Sequence, residues 1–275
     1  MESFIQAADG PRLFVRQWDA PQPKATCLVI HGLGEHGGRY EALARDLNQR
    51  GFSVWAMDHR GHGRSEGRRG DCQSIGEFTA DMNLWVEKVR QAAPTQPRIM
   101  IGHSLGGLLA LRYAVEYPEN MKAVVVSSPA LKLALKLPPI KVAIIEGLAR
   151  VAPATPVPNG VNPRLLSHDP DVVNRYRSDP LVHRVITARC AILLREAMRE
   201  SPSLAAQLKI PCLILQADSD AICDPAAAGE FAQAAPSRLV EFHRYAGLYH
   251  EIFNEPERDR VIEDLCRWME RVLKA

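Results

Sequence analysis

Short apolar runs recur along the chain at 27–30, 53–57, 98–101, 123–127, 212–217 and 240–245. Most are separated by segments, such as 39–50 and 78–93, whose apolar residues fall at helical spacing. Runs of four to six residues are too short for helices, and all but 240–245 are mostly apolar, as strands covered on both faces would be. The alternation predicts an α/β fold with a mostly parallel central sheet flanked by helices. Two earlier runs, 4–6 and 13–18, flank Asp9-Gly10-Pro11 and predict an antiparallel hairpin added at one edge.

The alternation breaks between 129 and 206. Seven prolines fall between 129 and 163, followed by helical patterns without strands. This predicts a mainly helical cap (129–206) inserted after the sixth strand, with the core formed by 1–128 and 207–275. The stretches 131–137 and 140–151 are apolar with Lys132, Lys136 and Lys141 interspersed. Such a pattern serves either packing onto the core, or an apolar substrate channel or membrane-docking face.

With 275 residues, 46% hydrophobic and 24% charged, the composition is that of a globular chain with room for one large core and an insertion. A net charge of +2 without a basic run argues against a nucleic-acid partner. The first residues lack a basic start and a sustained apolar region, and no stretch of 18 apolar residues occurs, so the expected location is cytoplasmic. Six cysteines without a C-x-x-C pair indicate reduced thiols rather than a disulfide framework.

The chemistry concentrates at Gly102-His103-Ser104-Leu105-Gly106, which an apolar run delivers and a helical pattern from 108 to 117 leaves. A strand turning sharply into a helix through G-x-S-x-G lifts one serine hydroxyl clear of the sheet. Ser104 is the expected nucleophile. A serine at neutral pH needs a base, a group that orients the base, and donors for an oxyanion. Asp220 follows a late strand and is the leading acid, with Asp218 and Asp224 as alternatives; Asp224 before Pro225 also suits a helix N-cap. His250, in a loop before the last helix, is preferred as base to His243, which falls within a strand. The backbone N–H groups of Leu33 and Leu105 are the candidate oxyanion hole.

Two motifs compete with this assignment. Gly32-x-Gly34-x-x-Gly37, with Asp58 21 residues beyond Gly37, imitates a dinucleotide fingerprint, but it leaves Ser104, Asp220 and His250 without a purpose. His59-x-x-His62 suggests a metal, yet no accompanying ligands stand at familiar spacing. The expectation is therefore no cofactor and no metal, with His31, His59 and Arg60 stabilising turns.

Four segments carry a broader likeness: His31-Gly-Leu-Gly-Glu-His-Gly-Gly-Arg-Tyr40, Asp58-His-Arg-Gly-His-Gly-Arg-Ser65, Gly-His-Ser104-Leu-Gly-Gly and Gly-Leu-Tyr-His250-Glu-Ile-Phe-Asn-Glu-Pro256. On these the chain resembles the monoacylglycerol lipases, lysophospholipase-like α/β hydrolases, over almost its whole length. The resemblance implies an α/β-hydrolase fold, with Ser104, Asp220 and His250 as nucleophile, acid and base. It further implies that Tyr176, Glu35, Arg39 and His103 lie at the glycerol end of the pocket, and that Cys223 lies close to the site. The implied activity is cleavage of monoacylglycerols or similar single-chain lipid esters without a cofactor; a broad carboxylesterase or lysophospholipase is the alternative, and a noncatalytic ligand receptor on a hydrolase scaffold a more distant one. The implied partners are a lipid ester substrate and, transiently, a membrane surface touched through the cap. The chain departs from the family at Ala217, where Gly is usual, and at Leu105, where many members carry Met.

Overall fold

The computed structural model describes every residue except 9, 136 and 137. Asp9 of the expected hairpin turn and Lys136 of the expected apolar stretch therefore lie outside the described residues. The chain begins with β1 (Glu2–Gln6), β2 (Arg12–Trp18) and β3 (Ala25–Ile30), then runs through α1 (Glu41–Gln49), β4 (Phe52–Met57), α2 (Ile75–Ala92), β5 (Arg98–His103), α3 (Leu105–Glu116) and β6 (Ala123–Ser127). Next come α4 (Pro139–Val151), β7 (Pro156–Pro158), α5 (Pro170–Ser178), β8 (Val185–Thr187) and α6 (Ala188–Ala205). Then follow β9 (Cys212–Ala217), α7 (Pro225–Ala234), β10 (Val240–Tyr245) and α8 (Arg258–Lys274).

Eight strands form one sheet in the order β1-β2-β4-β3-β5-β6-β9-β10. The first hairpin pairs antiparallel at the edge, as expected, and β2 joins β4 antiparallel; every other pair is parallel. β3, β4, β6 and β9 bury every residue because helices cover both faces, which is why they read as unbroken apolar runs. On one face α2, α3, α6 and α7 contribute Trp85, Leu108, Leu194 and Phe231. On the other, α1 supplies Leu43 and Leu47, and α8 supplies Val261, Leu265 and Trp268. The helical spacing of these residues puts them on one side of each helix; the opposite side of α8 carries Glu263, Arg267 and Lys274.

The strand order matters for the site. After β3 the chain builds β4 on one side, then returns to build β5 on the other, so the connections part at the C-terminal ends of β3 and β5. Such a switch point opens a crevice, and the loops at its mouth carry 31–34 and Ser104.

Residues 129–206 lie between β6 and β9, which are themselves paired neighbours. The sequence suggested helices alone here, but β7 and β8 pair antiparallel, Val157 opposite Ile186. Pro156 and Pro158 are tolerated because each strand of a two-stranded ribbon has an outer edge needing no N–H donor. α6 buries Cys190, Leu194 and Ala197. α4 buries nothing; Ile140, Ile144 and Val151 are exposed, and Glu146 reaches Arg195 of α6 at 2.7 Å. The expectation that this stretch packs onto the core therefore fails for the outer side of α4.

Contacts at several places tie the insert to the rest. At its entry, Leu133 bridges to Cys223, with Ala134 N–H on Ile222 O (2.9 Å) and Asp224 N–H on Lys132 O (2.8 Å). Further along, the fully buried Glu255 carboxylate accepts from Ser167 Oγ, His168 N–H and Tyr249 N–H, while Glu251 N–H donates to Leu166 O. The thiols of Cys72 and Cys190 meet at 3.3 Å, linking α6 to the loop before α2. Among the described residues no helix is long and apolar enough to cross a membrane.

Candidate active site

Ser104 joins β5 to α3 with φ +54° and ψ −119°, a left-handed conformation costly for a side-chain-bearing residue. The glycines around it are dictated by space. A Cβ on Gly106 would lie 2.1 Å from Ile30 O, and one on Gly102 would lie 2.3 Å from Gly106 O. The strained turn is held by Ser104 N–H on Ser127 O (3.0 Å), while Ser104 O accepts from Gly107, Leu108 and Ala130.

His250 and Ser104 line one narrow cavity of about 30 Å³, with Gly32, Leu33, Glu35, His103, Tyr176 and Glu251. Three more apolar residues, Val161, Leu166 and Ile222, complete the wall. No residue of α4 takes part, so the expected apolar channel from 131–151 is not formed by that helix among the described residues. A wider depression around Gly247, Glu257 and Arg260 contains none of the candidate nucleophile, acid or base.

His250 Nδ1–H donates to Asp220 Oδ2 at 2.7 Å, with both side chains buried. That bond fixes the tautomer and leaves Nε2 as the basic nitrogen. The other Asp220 oxygen accepts from Ile222 N–H (2.8 Å) and Cys223 N–H (3.0 Å). The alternatives are occupied elsewhere. Asp218 pairs with Arg244 at the surface, Asp224 caps α7 through Ala226 N–H and binds Lys132, and His243 pairs with Glu241 on β10.

Burial penalises the charged form of His250, but the charge and hydrogen bond of Asp220, with smaller help from Glu251 and Glu35, leave its pKa above the ordinary value. Burial also disfavours the Asp220 carboxylate; His250 and the two amides outweigh it and leave the acid below its ordinary value. His103, whose ring lies 4.6 Å from that of His250, is pushed by burial down to about 4 and is neutral. The Cys223 sulfur lies 3.9 Å from Ser104 Oγ, and burial raises it well above an ordinary thiol, so it stays protonated.

Among the described residues, neither Leu33 N–H nor Leu105 N–H has a protein acceptor. Gly32 lets the two loops approach: a Cβ there would stand 3.3 Å from that of Ser104. At the polar end, Glu35 accepts from Gly32 N–H (2.6 Å) and Tyr40 Oη–H (2.7 Å) and pairs with Arg39. Arg39 also grips Glu251 with both guanidinium arms, at 2.7 and 2.8 Å, and lies over the ring of Tyr176. Sequence reasoning placed Glu35, Arg39, His103 and Tyr176 here, but missed Glu251. It stands beside His250 in the quoted segment, yet nothing in one sequence ties it to Arg39, 212 positions away.

The competing motifs resolve into turn chemistry. Asp58, the would-be ribose acid, is fully buried and accepts from Gly37 N–H and Arg64 N–H. His31 donates to Gly32 O through Nδ1 and accepts His59 N–H at Nε2, while Arg60 grips Asp81. The metal-ligand types that do converge are Asp220, Cys223 and His250. Their bonds to each other and to backbone amides, with a protonated thiol among them, suit serine chemistry better than a cation.

A mostly parallel sheet with a switch-point crevice and a strained serine between strand and helix defines an α/β hydrolase. The profile of the family described as serine aminopeptidase, S33, matches residues 21–257, and the chain belongs to that family. Its relatives include a monoacylglycerol lipase of Mycolicibacterium smegmatis, 36% identical over 98% of this chain and 96% of that one. The monoglyceride lipase of Homo sapiens is 34% identical over 95% and 88%. Among solved structures, the Paleococcus ferrophilus monoacylglycerol lipase superposes with a TM-score of 0.85 at 34% identity, covering 95% of this chain and 98% of that one.

Proposed function

We propose that the chain hydrolyses monoacylglycerols and similar single-chain lipid esters to fatty acid and glycerol through an acyl-enzyme. The observation that carries this is the 2.7 Å bond between His250 and Asp220 in a cavity shared with Ser104. Ser104 Oγ attacks the ester carbonyl as His250 Nε2 takes its proton, and the Leu33 and Leu105 N–H groups receive the oxyanion. On collapse, the imidazolium returns the proton to the departing glycerol oxygen. The same imidazole then deprotonates a water, which releases the fatty acid from Ser104. Asp220 holds the tautomer throughout and stabilises the imidazolium. Glu35, Arg39, His103 and Tyr176 form the glycerol end.

The lipase names of the relatives support the ester, whereas the family description allows an amide. Turnover of monooleoylglycerol, lysophosphatidylcholine, nitrophenyl acetate and aminoacyl anilides separates the readings: the monoacylglycerol is expected to lead, and preference for the anilide overturns the lipase reading. Stoichiometric fluorophosphonate labelling, lost in Ser104→Ala, tests the nucleophile.

In this reading residues 129–206 act as a cap on a core of 1–128 and 207–275, since they leave and re-enter the sheet at adjacent strands. A cytoplasmic location is supported by six cysteines free of disulfides. Transient contact of the cap with a membrane surface is supported by exposed Ile140, Ile144 and Val151 on α4.

A further inference from the structure

The cavity wall is unequal in charge. Among its described lining residues Glu35 and Glu251 are carboxylates, and none is a lysine or arginine. Arg39 stands behind them with its fork committed: Nη1 to Glu35 and to Glu251 Oε1, Nη2 to Glu251 Oε2. Its face is laid on the Tyr176 ring at 4.7 Å. One guanidinium thus answers two carboxylates, and all three side chains are at most 10% exposed, so salt screens them weakly. The other charged neighbours do not redress the balance: Asp220 is spent on His250, His36 and Asp179 form a closed pair, and Arg184 is exposed. The buried hydroxyl of Tyr176, a residue lining the same wall, has no hydrogen-bond partner among the described residues, and so can exchange hydrogen bonds with an alcohol.

We propose that Glu251, together with Glu35, makes the leaving-group end of this cavity exclude anionic head groups, admitting neutral hydroxylated alcohols and rejecting esters whose alcohol carries a carboxylate or phosphate. An anion there meets uncompensated like charge and finds no free guanidinium fork. This inference rests on the lipid-ester reading and adds to it the residue that sets head-group charge.

The test is a nearly isosteric pair, 1-oleoylglycerol and the oleoyl ester of glyceric acid, assayed with wild type, Glu251→Gln and Glu251→Asp. Wild type should favour the neutral ester by about 100-fold in kcat/KM, Glu251→Gln should narrow that preference about tenfold through the KM of the anionic ester, and Glu251→Asp should keep most of it. Equal turnover of the two esters by wild type, or an unchanged ratio in an active Glu251→Gln, overturns the proposal. Should Glu251→Gln fail to fold, competition in wild type decides: free glycerate inhibiting as well as glycerol overturns the idea, and weaker inhibition by glycerate supports it. A wild type that splits neither ester but cleaves an aminoacyl anilide overturns the lipid-ester reading and this inference together, whereas equal turnover of both esters overturns only the inference.

Discussion

Where β3, β4, β6 and β9 bury every residue, α4 in the segment between β6 and β9 buries none. Ser104 and Asp220 stand where the buried strands β5 and β9 end, and His250 follows the half-exposed β10 but is itself buried, so packing restrains all three side chains. α4 answers to a different requirement. Its Ile140, Ile144 and Val151 are 68%, 55% and 82% exposed, so little of the chain's own packing constrains them. One region is specified by its own interior and the other is not, and the two should respond differently to perturbation.

The largest difference is expected in turnover. Ser104→Ala and His250→Ala should each cost on the order of 10⁴- to 10⁶-fold in kcat, and the double variant little more, because the groups act as a unit. Asp220→Asn should cost about 10⁴-fold by disturbing the tautomer. Asp218→Asn breaks only a surface pair with Arg244 and should change stability by less than about 1 kcal/mol. A larger loss from Asp218→Asn than from Asp220→Asn would reverse the assignment of the acid.

Two glycines extend the contrast to stability. Gly106→Ala forces a methyl to within 2.1 Å of Ile30 O and should lower urea stability by about 3 kcal/mol or more. Gly147, inside α4, has nothing within 4 Å of an added Cβ, so Gly147→Ala should raise stability by about 0.5–1 kcal/mol. Equal effects at the two positions would erase the distinction between the regions.

Acid should act on the sheet end first. Burial lowers the pKa values of His31, His59, His62 and His103, with His59 and His103 at about 4. Below about pH 6.5 the unfolded chain binds protons that the folded chain refuses, so stability is full above that value and declines as pH falls toward 4. Denaturant midpoints across pH 7 to 4 check this. The kcat/KM profile should fall earlier, through a value above 6.5, because His250 is raised and must be neutral to act as base.

The smallest effect belongs to the outer face of α4. The Ile140→Ser, Ile144→Ser double variant should keep its stability within about 0.5 kcal/mol and its turnover of a soluble short ester, while losing hydrolysis of vesicle-borne monoacylglycerol several-fold. An equal loss on the soluble ester would assign that face to the pocket instead.

The same contrast governs what a single sequence discloses. Fully buried strands announce themselves as apolar runs, and the proposed nucleophile, acid and base do so by falling, in chain order, on loops that follow strands. β7 and β8 did not, since strands of three residues, two of them proline in β7, carry no usable period. Neither did the partnership of Arg39 with Glu251, nor that of Cys72 with Cys190, because each joins distant positions through the folded geometry alone. For α4 the helical spacing was visible, yet spacing cannot say whether its apolar residues face a core or the outside.

The two regions are nevertheless sewn together on either side of the cavity: the insert's first residues run along the turn that bears Asp220, and its middle is fastened through Leu166, Ser167 and His168 to the turn that bears His250. A flap hemmed along both margins resists swinging as one piece. In the proposed reaction, lipid entering and acid leaving would then pass by a local parting of the insert, with the His250–Asp220 pair left in place.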